Sequence, residues 1–205
     1  MAEISAKVVM QLRQKTGLGM MECKAALEAT AGDTAKAEEW LRKRGEKTAE
    51  SKVGRAAKEG RIGSYIHHNG KVAALVEVHC EDDFAARNEV FQKFLRDLAM
   101  HIVGSPTPPV AVRREEIPAA LVEKEREIAQ AQLDGDPKNA KKPAEIKARI
   151  VQGKVDAFCR ERVLLEQPFV LNPEMTVDQV VKGVTQKLGQ NIVVRRFSRL
   201  EVGAE

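Results

Sequence analysis

Gly60-Arg-Ile-Gly-Ser-Tyr-Ile-His-His68 and Lys71-Val-Ala-Ala-Leu-Val-Glu-Val-His-Cys80 stand on either side of Asn69-Gly70. Two β-prone runs joined by Asn-Gly form the strongest short-range hairpin signal, because both residues accept the left-handed backbone of a tight turn. A two-residue turn there pairs His68 with Lys71 and Ile62 with Glu77, and gives Tyr65, Val72, Ala74, Val76 and Val78 one shared face. Downstream, Val90, Phe91, Phe94, Leu95, Leu98 and Ile102 recur at helical spacing up to Gly104. Ser105-Pro-Thr-Pro-Pro109 reads as a rigid loop, 118–134 as a helix and Asp134-Gly-Asp-Pro137 as a turn. Pro143 opens a helix running to about Arg162, and Thr176-Val-Asp-Gln179 resembles a capping box before a helix ending near Gly189. Residues 192–202 alternate as a strand.

Upstream of the hairpin, 46–59 is polar with few large apolar groups and reads as a linker, in part helical. The first 45 residues read as three short helices. Val8, Val9 and Leu12 stripe the first, which Gly17-Leu-Gly19 breaks; Met20, Met21, Ala25 and Leu27 sit in the second. Asp33 caps a third carrying Ala37, Trp40 and Leu41, which Gly45 closes. The expected architecture is α+β: a helical module over 1–45, a linker over 46–59, and a core over 60–205 of a small antiparallel sheet with packed helices.

Composition bounds the function. Of 205 residues, 43% are apolar and 31% charged, the pattern of a folded protein. The 34 basic and 30 acidic side chains leave only +4, and eight aromatic residues are few for stacking bases. No direct nucleic-acid partner is therefore expected. The longest pure apolar run, Val72-Ala-Ala-Leu-Val76, is far below the roughly 20 residues of a membrane span. The N-terminus reads as neither a secretory signal nor a transit peptide. Cys23, Cys80 and Cys159 are odd in number and widely spaced, which points to a reducing cytosol and not to a disulfide framework or a zinc ribbon.

No phosphate-binding loop, dinucleotide fingerprint, metalloprotease helix or nucleophile elbow is present, so neither an enzyme nor a cofactor is expected. His67 and His68 lie at the far end of the hairpin from His79 and Cys80, roughly 25 Å away, which excludes a shared metal site in that register. Lys15, Lys24, Lys36, Arg42, Lys43 and Arg44 make the N-terminal module basic, either as a solvated face or as a surface for an acidic partner. Glu81-Asp-Asp-Phe84 leaves two readings open. Three carboxylates suit a helix N-terminus, with Phe84 packing back as a staple; alternatively the segment presents an acidic-aromatic wedge to a partner's pocket. Met20 and Met21 point about 100° apart, so one is core filler and at least one is exposed for adaptable contact.

Several stretches together resemble bacterial elongation factor Ts. Leu12-Arg-Gln-Lys-Thr-Gly-Leu-Gly-Met-Met-Glu-Cys-Lys-Ala-Ala-Leu27 is similar to the family's N-terminal signature, and Val78-His-Cys-Glu-Asp-Asp-Phe-Ala-Ala-Arg-Asn88 to its Cys-x-Thr-Asp-Phe-Val-Ala pattern. Leu98-Ala-Met-His-Ile102, Gln167-Pro-Phe-Val170 and Arg195-Arg-Phe-Ser-Arg-Leu-Glu-Val202 agree as well, so the likeness spans nearly the whole chain, in the short form of the family. The resemblance implies a ubiquitin-associated-like three-helix module ahead of the α+β core, and guanine nucleotide exchange on elongation factor Tu without covalent chemistry. It implies that Asp83 and Phe84 enter beside the nucleotide site and disturb its magnesium region. It also places Arg13, Met20 and Met21 in the docking contact and His101 on a helix facing the GTPase. Asp82 departs from the family's threonine, and Ser198 stands where some short-form relatives carry a cysteine that could bridge subunits. The long, partly apolar strand 192–200 predicts a homodimer, since such edges are commonly covered.

Overall fold

The computed structural model describes residues 4–139 and 142–204. The chain is α+β, with eight α-helices among these residues, a three-stranded sheet and a two-stranded sheet. Two compact units share it: one from Met1–Gly63, Glu77–Arg96 and Gln179–Val194, the other from Ser64–Val76, Asp97–Asp178 and Arg195–Glu205.

In the first unit, α1 (Ala6–Thr16), α2 (Met20–Ala29) and α3 (Thr34–Lys52) form an N-terminal three-helix arrangement. Caps set the breaks. The Ser5 side chain accepts from Val8 N–H, and Gly17 ends α1 with φ +70°. Glu22 reaches back to the Gly19 N–H (3.3 Å), and Asp33 accepts from Lys36 N–H (3.1 Å). Val9, Leu12, Leu18, Cys23, Ala26, Leu27, Ala37 and Leu41 fill the small core, with Trp40 packed against it. The third helix does not stop at Gly45 as expected. It continues to Lys52, so half of the expected linker is helical. Gly45 is buried under the Gln186 side chain of α8 (Val177–Leu188), and it serves close approach, not termination.

β1 (Glu59–Ile66), β2 (Val72–Cys80) and β5 (Val193–Glu201) form the larger sheet in the order β1-β2-β5. The His67 N–H donates to the Val72 carbonyl (2.8 Å), which falls on the expected register. The turn itself differs: Gly70 N–H bonds the His67 carbonyl, and only Gly70 has positive φ (+69°). The Asn69 side chain takes the Lys71 N–H (2.9 Å), the donor that a two-residue hairpin would give to His68. His68 and Lys71 therefore do not close the ladder. Ala74, Val76, Val78 and Cys80 are buried along one face of β2, as alternation requires.

After β2 come the one-and-a-half-turn α4 (Asp83–Arg87) and the amphipathic α5 (Glu89–Gly104). Within the second unit, α6 (Ala119–Asp134) packs along α7 (Ala144–Arg162) through Ala129, Leu133 and Val151. A second cluster holds Ala111, Ile117, Val155, Cys159 and Val163. The small hairpin β3 (Pro168–Phe169) and β4 (Asn172–Thr176) was not expected, because two residues carry no periodicity. No helix among the described residues is long and apolar enough to cross a membrane.

Candidate functional site

The acidic turn after β2 is held by its own side chains. Asp82, in extended backbone, places one carboxylate oxygen on the Ala85 N–H (2.9 Å) and so starts α4. The Asn88 carboxamide accepts from Val90 N–H (2.9 Å) and starts α5, which limits α4 to five residues. Ala85 and Ala86 face inward and are buried. Phe84 therefore turns outward, and 79% of its surface is exposed. The staple reading of Phe84 is overturned, since the ring packs against nothing that removes it from water. Asp83 beside it pairs with Arg87 one turn on (2.9 Å), both of them substantially solvated.

Two further segments reach this turn. Gln190 Nε2 donates to the second Asp82 carboxylate oxygen, and its Oε1 accepts from Asp82 N–H (3.4 Å). The Asn191 N–H donates to Glu81 (2.6 Å), while Asn191 Nδ2 donates to the Arg55 carbonyl (2.8 Å). Sequence reasoning missed these partners, which lie 108 and more residues away. Cys80 is buried, and its thiol donates to the Asp82 carbonyl (3.1 Å). Burial pushes that thiol's pKa up and the Asp82 carboxylate adds to the rise, so the group stays a neutral donor.

The other nominated residues separate into two groups. Met20 and Met21, in the first turn of α2, are both exposed, Met21 by 74%, so neither fills the core. Arg13 is also exposed, and with Met10, Gln14 and Gly17 it lines a shallow recess of about 400 Å³.

His101 departs from expectation. It is fully buried in α5, and both ring nitrogens are engaged: Nδ1 accepts from the Val170 N–H (3.2 Å), which leaves Nε2 protonated and donating to Gln167 Oε1 (3.0 Å). Gln167 in turn donates to the carbonyls of Thr107 and Glu161. A side chain so enclosed is a structural tie and not a docking contact, and the expected surface role is corrected accordingly. Burial holds its pKa below the ordinary histidine value, against a smaller opposing pull from Gln167. Because the folded pKa is the lower one, the stabilisation is present above the unfolded pKa near 6.5 and is lost as pH falls through the folded value. Thermal unfolding between pH 7.5 and 5 is expected to show wild type losing more stability than His101→Gln; parallel curves would contradict this.

His79 Nε2 lies 2.6 Å from Glu77 Oε1, and among the described residues no three His, Cys, Asp or Glu side chains converge as a metal site would need.

Comparison with known proteins points one way. The profile of the family described as Elongation factor TS matches residues 3–204. Relatives named Elongation factor Ts include those of Prochlorococcus marinus (strain MIT 9313), 48% identical over 99% of this chain and 91% of the relative, and of Anaeromyxobacter sp. (strain K), 50% identical over 99% and 90%. That of Synechococcus sp. (strain RCC307) is 47% identical with the same coverage as the first.

Proposed function

The chain belongs to the elongation factor Ts family, and from that premise we propose that it is a cytoplasmic guanine nucleotide exchange factor for elongation factor Tu, working by non-covalent contacts alone. The observation that carries the mechanism is Phe84, a large apolar ring left in water on a capped, two-alanine-anchored helix. Burying such a ring is worth about 1.5–3 kcal/mol, and that energy is unspent in the free chain. Seated in a pocket that only the nucleotide-free GTPase opens, the ring stabilises that state selectively. Linkage then requires nucleotide affinity to fall by the same factor. A shift of about 10⁴-fold needs roughly 5.5 kcal/mol of differential contact, so Phe84 supplies part and its neighbours the rest. Asp83 contributes a carboxylate that, released from Arg87, repels the bound phosphates or competes for magnesium oxygens. Either GDP or GTP then refills the site.

In this reading the helices α1 to α3 dock through Arg13, Met20 and Met21, with methionine side chains adapting to the partner. The short segment 53–58 between α3 and β1 links them to the part of the chain that carries the wedge and the subunit contact. The test of function is release of fluorescent GDP from elongation factor Tu: strong acceleration by the wild-type chain supports exchange, and none would leave an adaptor that binds through the N-terminal helices alone.

A homodimer is part of the proposal. The His67–Val72 and Val202–Lys71 bonds place Ile66 and Leu200 on either side of Ala73. Those three and Leu75 lie on the face opposite buried Ala74 and Val76, and Ile66, Leu75 and Leu200 are exposed. A second copy of the same stripe would cover it, without help from Ser198. Sedimentation is expected to show a dimer at micromolar concentration and a monomer for Leu75→Asp; a wild-type monomer would remove this element.

A further inference from the structure

We infer that Gln190, acting through Asp82, is a positioning residue that holds the Phe84 wedge in its working orientation; this rests on Phe84 being the exchange element. A helix of five residues is not stable by itself, since nucleation costs more than one turn returns. The inward face of α4 offers only Ala85 and Ala86. Two buried alanines turn the ring outward but are too small to hold so short a helix in one orientation, so a further restraint must come from outside it. Asp82 supplies it with two oxygens used for two purposes: one caps Ala85 N–H, the other takes the Gln190 carboxamide, whose oxygen accepts from the Asp82 N–H. The carboxamide thus grips both main chain and side chain of one residue. Gln190 is itself held in place, because it follows Gly189, where φ +69° and an N–H bond to the Thr185 carbonyl end α8. Asn191 next to it grips Glu81 and the Arg55 carbonyl. The segment 189–191 is a brace for the turn 81–83. A threonine at position 82 has a single oxygen, so it keeps the cap but cannot also give Gln190 a second acceptor oxygen.

The experiment measures GDP release from elongation factor Tu with Gln190→Ala and Gln190→Glu, each with Phe84 present and in a Phe84→Ala background, alongside amide exchange at Ala85 and Ala86. Gln190→Ala is expected to slow release about tenfold and to raise amide exchange there at least tenfold, at an unchanged melting temperature. Gln190→Glu, which keeps the shape but sets a carboxylate against Asp82, is expected to be slower still. Neither change should matter once Phe84 is alanine, because a positioning residue has nothing left to position. Asp82→Thr combined with Gln190→Ala should be no slower than Gln190→Ala alone. Wild-type release by both Gln190 variants, or an equal proportional loss in the Phe84→Ala background, overturns the inference. Should Phe84→Ala itself release GDP like wild type, the wedge reading falls, and unchanged amide exchange in Gln190→Ala would then refute the brace separately.

Discussion

Phe84→Ala is expected to slow the stimulated release of GDP from elongation factor Tu by about 30–100-fold, with the fold and melting temperature unchanged. The magnitude follows from the loss of a buried aromatic anchor, about 2–3 kcal/mol, at 1.4 kcal/mol per factor of ten. The unchanged stability follows from exposure: the ring is 79% in water, so its removal opens no cavity. Asp83→Ala is expected to cost less, because the Asp83–Arg87 pair is solvated and stabilises little. Its loss should fall on the nucleotide-bound state, where charge repulsion acts, and should shrink as salt rises. Stopped-flow release with single and double variants separates the two contributions. Wild-type release by the Phe84→Ala variant would move the mechanism to Arg13, Met20 and Met21, all three exposed on α1 and α2.

The part of this surface legible in the sequence was the part encoded locally. Asn69-Gly70 between alternating strands placed the hairpin, and Asp33 placed the start of α3, because each signal lies within a few residues of what it controls. The turn type was not legible, since whether Asn69 adopts left-handed backbone or uses its side chain on Lys71 N–H is decided by small local energies. Gly45 read as a stop because glycine is costly inside a helix, and the side chain that covers it, Gln186, lies 141 residues away in sequence. The same distance problem hid His101 and the brace. A histidine on an amphipathic helix reads alike whether it meets solvent or a glutamine 66 residues on. For Phe84 the sequence left staple and wedge equally open; the buried pair Ala85 and Ala86 turn the ring outward, which removes the staple.

Gly60→Ala is expected to destabilise the protein by about 3 kcal/mol, the sum of backbone strain and overpacking, which lowers the melting temperature by about 10 °C in a chain of this size. Gly60 lies in β1 with φ +153°, a conformation that side chains rarely adopt. A Cβ there would stand 2.2 Å from the Val78 carbonyl oxygen and 2.8 Å from the His79 Cα. Both are backbone atoms of β2, the central strand, held by ladders on both sides and unable to retreat. Gly63 makes a graded control: its Cβ would stand 2.8 Å from the Leu95 Cβ and 2.9 Å from the Leu95 carbonyl oxygen, overpacking without a strained φ, so Gly63→Ala should cost less. Gly70 at φ +69° faces open space, so Gly70→Ala carries strain alone, about 1–2 kcal/mol. Urea unfolding should therefore rank Gly60 as the most costly of the three, with equal slopes. If Gly60→Ala were as stable as Gly70→Ala, β2 would have to give way at Val78 and His79, two residues before the turn that presents Phe84. Exchange activity should then fall in the variant that kept its stability, because the adjustment would have been made in the strand that leads into the proposed Phe84 wedge.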